Sequence, residues 1–433
     1  MLNTNNDYRG MIMNLKLIQS IKEVSHPFHK QEGINALLSK IKDETFVLLG
    51  ESSHGTSEFY KIRAELTKKL ITEKGFTYIA VEGDWPACQE INRYIKGFDH
   101  LDSNAREVLN FFHRWPTWMW ANEEMIDLIE WLRDYNNKMP NDKKVGLYGI
   151  DVYSLWESID EIISYLEKIQ SPQIESAKKA FSCFEPFNRR PEKYGLSASF
   201  YGEDCLDEVT KLLTEITLNK MNVSDTEENT LNLEVNAMIT ANAENYYRTM
   251  VVNDNESWNI RDRHMVEALN KIHDFYGEHA KGIVWAHNTH VGDARATDMV
   301  DEGIVNVGQL LREEKGNESI FIIGFGTHRG TVIAADEWGV NHERMIIPPA
   351  QKGSWEDAMH KAGPRDKFLH FTKDNRHLFQ DPIGHRAIGV VYNPAYELYG
   401  NYVPSIMSNR YDAFIYINVT NALHPLIVEE VFL

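Results

Sequence analysis

The stretch from Phe46 to Glu82 limits the fold more than any other part of the chain. It opens with Phe46-Val47-Leu48-Leu49-Gly50, a short apolar run closed by glycine, the pattern of a strand buried on both faces. Phe59, Ile62, Leu66 and Leu70 then recur at helical spacing, with Lys68, Lys69 and Lys74 toward the end and Gly75 as a stop. A second apolar run, Tyr78-Ile79-Ala80-Val81, follows and ends in Glu82. This is a βαβ unit, so its two strands are expected to be parallel and joined by a right-handed crossover.

Ligands bind outside the carboxyl ends of parallel strands. Glu51 directly follows the first strand, Glu82 closes the second, and His54 lies in the loop between strand and helix. Arg63 stands beside Ile62 at the border of the helix's apolar stripe, placed to point inward. Two carboxylates, an imidazole and a guanidinium are thus expected on one rim.

The same alternation continues along the chain. Val145 to Ile150 reads as a strand ending in Asp151, and Gly282 to Ala286 as one ending in His287-Asn288-Thr289-His290. Ile320–Gly324, Ile388–Tyr392 and Phe414–Ile417 carry the same pattern. Residues 154–281 lack strand signals and show helical periodicity at Ile174–Phe184, Cys205–Leu218, Glu227–Met250 and Ile260–Tyr276. The expected architecture is α/β, with a largely parallel central sheet flanked by helices and interrupted by a helical insertion. The core is then divided into residues 1–153 and 282–433, with the insertion at 154–281. Ahead of the first strand, Met13 to Lys42 reads as two helices around His26-Pro27. Lys96 to Asp102 reads as a loop. Pro116 interrupts the helical pattern of Arg106 to Asn136 within Arg114-Trp115-Pro116-Thr117-Trp118-Met119-Trp120.

Charge and cysteine content narrow the partners. With 45 basic and 64 acidic residues in 433, the net charge of −19 repels phosphate backbones, so nucleic acid is not expected. No apolar run approaches the roughly 18 residues of a membrane span. Met1 to Gly10 has no apolar core of a secretory signal. Cys88, Cys183 and Cys205 are too few and too scattered to suggest a disulfide framework or a CxxC zinc site. A reducing cytoplasm is therefore the expected location.

Motif by motif, the familiar chemistries drop out. There is no GxSxG elbow, no GxxxxGK[ST] loop and no HExxH helix. Gly324-Phe325-Gly326-Thr327-His328-Arg329 begins like a dinucleotide fingerprint but has Arg329 at the third glycine position. What remains is histidine, carboxylate and arginine. A histidine held by a carboxylate takes a proton from water near neutral pH, and an arginine or second histidine steadies the resulting oxyanion. The same groups are also metal ligands, although the His287–His290 spacing, after a strand and not on a helix, is weak support for that.

In order along the chain come Gly50-Glu51-Ser52-Ser53-His54-Gly55-Thr56 with Arg63, Tyr148-Gly149-Ile150-Asp151, and Ala243-Glu244-Asn245-Tyr246-Tyr247-Arg248. Trp258-Asn259-Ile260-Arg261-Asp262, Ala286-His287-Asn288-Thr289-His290 and Arg410-Tyr411-Asp412-Ala413 follow. In this order the motifs resemble the erythromycin esterase family, over most of the chain. The Ser52-Ser53 and Gly55-Thr56 pairs are similar to its uncharacterised bacterial relatives, some of them labelled succinoglycan biosynthesis proteins, more than to the macrolide resistance enzymes. The resemblance implies metal-independent and cofactor-independent hydrolysis of a small-molecule ester or lactone. His54 would activate water, with Glu51 and Glu82 as its acidic partners and Arg63 and His287 also catalytic. His290 and Arg261 would lie at the substrate.

Independently of the resemblance, Trp118 and Tyr247 are candidates for lining the substrate cleft. Two other readings stay open: a metal-dependent hydrolase with Glu51, His54, Glu82 and His287 as ligands, and a non-enzymatic protein binding haem or a polysaccharide precursor.

Overall fold

A computed structural model describes residues 15–98, 103–202, 204–219 and 227–427. The polar segment Met1–Gly10, the start of the helix expected from Met13 and the end of the Lys96–Asp102 loop lie outside them. The strands are β1 (His26–Pro27), β2 (Phe46–Leu49), β3 (Tyr78–Asp84), β4 (Gly146–Asp151), β5 (Gly282–Trp285), β6 (Ile320–Ala334), β7 (Glu343–Ile347), β8 (Lys367–His370), β9 (Ile383–Arg386), β10 (Tyr402–Ser405) and β11 (Ala413–Thr420). Among the described residues nine of them form one sheet in the order β1-β8-β11-β6-β2-β5-β3-β4, with β7 paired to β6. The six from β11 to β4 run parallel, and the antiparallel pairs are confined to the β1, β8 and β7 margins.

The apolar runs become strands because both faces of the sheet are covered. Phe46 and Leu48 of β2 and Tyr78 and Ala80 of β3 point into one apolar cluster; Val47, Leu49, Ile79 and Val81 point into the other. The helix Ser57–Lys74 lays Phe59, Leu66 and Leu70 on the second face and ends at Gly75, whose φ of +73° suits a residue without Cβ. On the first face, Trp156, Phe181, Tyr194, Val235 and Tyr247 from the helices between β4 and β5 join the sheet residues in one cluster. Helix Asp254–Tyr276 packs directly on the strands, with Tyr276 stacked 5.3 Å from Tyr78.

Several elements depart from the sequence pattern. Ile388–Tyr392 is not a strand; it touches the rest through single bridges, Ser53 to Ile388 and Ala335 to Val391. Its apolar residues answer to burial alone, since its backbone pairs with loops. Strand β6 continues ten residues past Gly324, because its second half pairs with β7. Short strands β1 and β7 to β10 and helix Pro191–Tyr201 carry too few periodic residues to be read in advance. Cys183 and Cys205 form a disulfide, although three scattered cysteines suggested no disulfide framework. The fold brings residues 22 apart within 5.9 Å at Cα, which spacing does not reveal. No helix among the described residues is long and apolar enough to cross a membrane.

Strands β3 and β4 approach closely where β3 shifts register between Val81 and Asp84. A Cβ on Gly149 would lie 2.3 Å from the Gly83 carbonyl oxygen. Gly149→Ala is therefore expected to force the two strands apart and destabilise the protein by about 1–3 kcal/mol. Chemical denaturation measures this, and unchanged stability would contradict the tight contact.

Candidate active site

The parallel strands deliver their carboxyl ends to one rim. Along it, in sheet order, stand Glu51 after β2, His287 after β5, Glu82 in β3 and Asp151 at the end of β4. His287 thus sits between the two glutamates, because β5 is inserted between β2 and β3.

His54 is held from one side. Its Nδ1 lies 3.0 Å from Glu51 Oε1, which takes the ring hydrogen and leaves the Nε2 lone pair unused. Nε2 makes no hydrogen bond among the described residues; Glu82 Oε1 is 4.0 Å away. The other Glu51 oxygen accepts from Arg63 Nη2 at 2.5 Å. Arg63 is wholly buried, its guanidinium 4.4 Å from the Tyr60 ring and 4.6 Å from the Trp285 ring. It stands behind Glu51, out of reach of a ligand, and positions the carboxylate instead of meeting an oxyanion.

Glu82 is held through both of its oxygens. Its Oε2 accepts the His287 backbone N–H at 2.7 Å and its Oε1 accepts from Arg261 Nη2 at 2.7 Å. Burial alone would raise its pKa; His290, His54, Arg261 and the His287 N–H outweigh that and hold it well below the usual carboxylate range. Arg261 also forks onto Asp151, at 2.9 and 2.6 Å, and donates from Nη1 to His290 Nε2 at 3.0 Å. Asp151 is likewise lowered, since Arg261 and the Val152 N–H prevail over burial and over Glu82.

His290 is stacked 4.5 Å from Trp258 and bonded through Nδ1 to Asp262 at 2.9 Å. Burial would lower its pKa, but Asp262 and Glu82 outweigh it and raise it. Protonation would exchange the Arg261 bond for one to Glu82, 3.4 Å from Nε2. His290 supports Arg261 from behind and does not line the cavity. His287 caps the turn after β5, its Nδ1 accepting from the Thr289 N–H at 3.3 Å and facing Thr289 Oγ1 at 2.8 Å. Its Nε2 then carries the hydrogen and has no partner among the described residues. Burial first, and then the neighbouring His54 ring 4.9 Å away, hold its pKa well below the usual imidazole value.

A cavity of about 110 Å³ opens over His54, Glu82, Asp151 and Arg261. It adjoins a wider cleft of about 720 Å³ whose wall includes Tyr246, Tyr247 and Met250 of helix Glu227–Met250. Tyr247 thus lines the outer cleft and ties it to the rim by donating to the Tyr153 carbonyl at 2.7 Å. Trp118 does not line either space: it is fully buried in the core on the far face, and Trp115 and Trp120 take the wall instead. With Pro116 breaking the helix, sequence does not say which of the three indoles turns inward.

Residues not foreseen as site members are Asp84, Arg114, Tyr153, Trp258 and Asp262. Asp84 lies two residues past Glu82 and so on the same face of β3, a readable signal. Trp258, Arg261 and Asp262 share a helix face at three- and four-residue spacing. Arg114, paired with Asp84 through two hydrogen bonds, had no such signal. Among the described residues no three His, Cys, Asp or Glu side chains are grouped to hold a metal ion. The carboxylate oxygens are instead directed at Arg63, His54, Arg261 and the His287 N–H.

The family profile described as erythromycin esterase matches residues 71–420. The chain belongs to the erythromycin esterase family. The match spans Glu82, Asp151, Arg261, His287 and His290 and begins after Glu51, His54 and Arg63. The chain is 23% identical over 418 residues to the Bacillus subtilis (strain 168) protein YbfO, whose name proposes a hydrolase; 87% of this chain and 84% of that one are aligned. It is 31% identical over 130 residues to Escherichia coli erythromycin esterase type II, covering 30% and 29% of the two chains. Among solved structures, a succinoglycan biosynthesis protein superposes with a TM-score of 0.75 at 20% identity, over 94% of this chain and 97% of that one. A mutant of erythromycin esterase EreC in its open conformation gives 0.68 at 15% identity, over 92% and 95%. These likenesses establish the α/β fold expected from the strand and helix pattern, and the family supports a hydrolase.

Arg261→Met removes the cation that Glu82 and Asp151 share. Both carboxyls have lowered pKa values in the folded chain, so the stability they contribute is present above their unfolded values of about 4 and is lost as pH falls below those toward the lowered folded values. The variant is expected to lose about 3–5 kcal/mol at pH 7, the usual cost of uncovering a buried charge, with the deficit narrowing below pH ~4. Denaturation curves at several pH values measure it; a deficit independent of pH would contradict the pairing.

Proposed function

We propose that this protein hydrolyses a small-molecule ester or lactone with water activated by His54. The observation that carries the reading is the His54 ring itself. One nitrogen is fixed to a buried carboxylate and the other is left as an unpaired acceptor at a cavity. That is the arrangement a general base needs.

A water at Nε2 gives its proton to His54 as its oxygen bonds to the carbonyl carbon. The imidazolium so formed is steadied by Glu51 at Nδ1 and by Glu82 near Nε2. Arg261, a cation in the wall of the same cavity, is the group available to the oxyanion, while the buried His287 ring lies against His54 outside that wall. Collapse of the tetrahedral intermediate breaks the carbon–oxygen bond of the leaving group, and His54 returns the proton to the departing alkoxide. Ester and water become acid and alcohol, with no covalent enzyme intermediate. Arg63 and His290 act through Glu51 and Arg261 and position the reacting groups.

The test is a panel of aryl esters, lactones and macrolides screened by mass spectrometry for products heavier by one water, with and without a chelator. Hydrolysis should survive the chelator. On any substrate turned over, His54→Asn should fold normally and lose about 10²–10⁴ in kcat, the usual worth of a positioned acid–base group. Glu82→Gln should lose less, because it orients and stabilises without moving the proton. Full turnover by His54→Asn would overturn the mechanism.

A further inference from the structure

The cleft is divided into two unequal chambers, and the division bears on which esters fit. The inner chamber, over His54, measures about 110 Å³; the outer one measures about 720 Å³. Arg114, Trp115, Tyr153 and Trp338 line both, and so form the neck between them. A water molecule's share of liquid is about 30 Å³, so the inner chamber holds about three or four water-sized groups. That is a carbonyl with one or two carbons beyond it. Phe112, Met119 and Val390 give the inner chamber apolar lining, which suits a short alkyl group.

Three of the four neck residues are braced by polar or charged contacts. Arg114 is clamped on Asp84 through Nε at 2.8 Å and through Nη2, and its guanidinium lies 5.1 Å from the Tyr153 ring. Arg261 lies 4.7 Å from the same ring, so two cations rest against Tyr153. Trp115 donates from Nε1 to the Val340 carbonyl at 2.9 Å and packs edge-on to Trp338 at 4.6 Å. Widening the neck on the Arg114 side means parting a largely buried ion pair, which a longer alkyl chain does not repay. Beyond the neck the surroundings change. Tyr246, Tyr247, Trp115 and Trp338 offer ring surfaces, and Pro191 and Met250 add apolar area. Such walls take a large ring-bearing group.

We infer that the protein selects esters with one small side, of about four heavy atoms or fewer including the carbonyl, and one large ring-bearing side that occupies the outer chamber. The inference rests on the ester-hydrolase reading above. It adds a limit on size to either side of the scissile bond, and it places large macrolactones, which are long on both sides, outside the preferred class.

Two ester series test it. The first is 2-naphthyl acetate, butyrate and octanoate, which lengthens the acyl side. The second is the methyl, butyl and octyl esters of 2-naphthoic acid, which lengthens the alcohol side. In the series whose short side enters the inner chamber, kcat/KM should fall on the order of 100-fold from the shortest to the longest member, comparable to what pocket size achieves in other enzymes. Trp338→Ala, at a residue 60% exposed, should keep its fold and narrow that gap. Tyr246→Ala should raise KM for the naphthyl compounds and not for ethyl acetate. Equal rates at all lengths in both series, or a macrolactone opened as fast as naphthyl acetate, would overturn the two-chamber inference and leave the hydrolase reading standing. No hydrolysis of any ester would overturn the hydrolase reading, and this inference with it.

Discussion

Arg261 brings a guanidinium into a space that water barely reaches, and three groups depend on it. Glu82 and Asp151 are buried carboxylates close enough that each disfavours the other's charge. Without a cation between them one would take up a proton. The forked guanidinium meets both, and its remaining Nη1 goes to His290. Because Glu82 stays ionised and fixed, its second oxygen can hold the His287 N–H and so set where the chain leaves β5. The His54–His287 contact follows from that. An arginine suits the place better than a lysine, since one lysine ammonium could not serve three partners in one plane.

The two glutamates at the histidine do different work. Glu51 is clamped by Arg63, whose charge is covered by the Tyr60 and Trp285 rings. It faces inward and fixes the imidazole's tautomer. Glu82 faces the cavity and supplies charge near the reacting nitrogen. The pair is maintained by two separate arginines, one on helix Ser57–Lys74 and one on helix Asp254–Tyr276, packed on opposite faces of the sheet. Chemistry at the rim therefore depends on both layers being in place. The helices above the rim shape the outer cleft without contributing to the proton path, so they are free to set substrate size while the rim keeps its chemistry.

Much of this was legible in the chain. Doubly buried strands announce themselves as apolar runs, and a residue that ends such a run in a parallel sheet lies at the ligand rim. That logic reached Glu51, Glu82, Asp151 and His287 from local pattern alone, and helix periodicity carried Arg63 to the inner side. It failed where local pattern has two solutions. Ile388–Tyr392 is apolar yet pairs with loops, and the indole of Trp118 faces the core while those of Trp115 and Trp120 face the cavity. The Cys183–Cys205 bond joins residues that only folding brings together.

By itself the sequence determined the α/β pattern and the residue types at the strand ends, because burial and periodicity act over a few neighbouring residues. The tertiary structure decided which of those residues meet. β5 runs between β2 and β3 although 197 positions separate Asp84 from Lys281, and this alone puts His287 between Glu51 and Glu82. Strand order, the sharing of Arg261 among Glu82, Asp151 and His290, and the division of the cleft at Arg114 and Trp115 arise from contacts between distant segments. Their energy depends on geometry that no local pattern encodes.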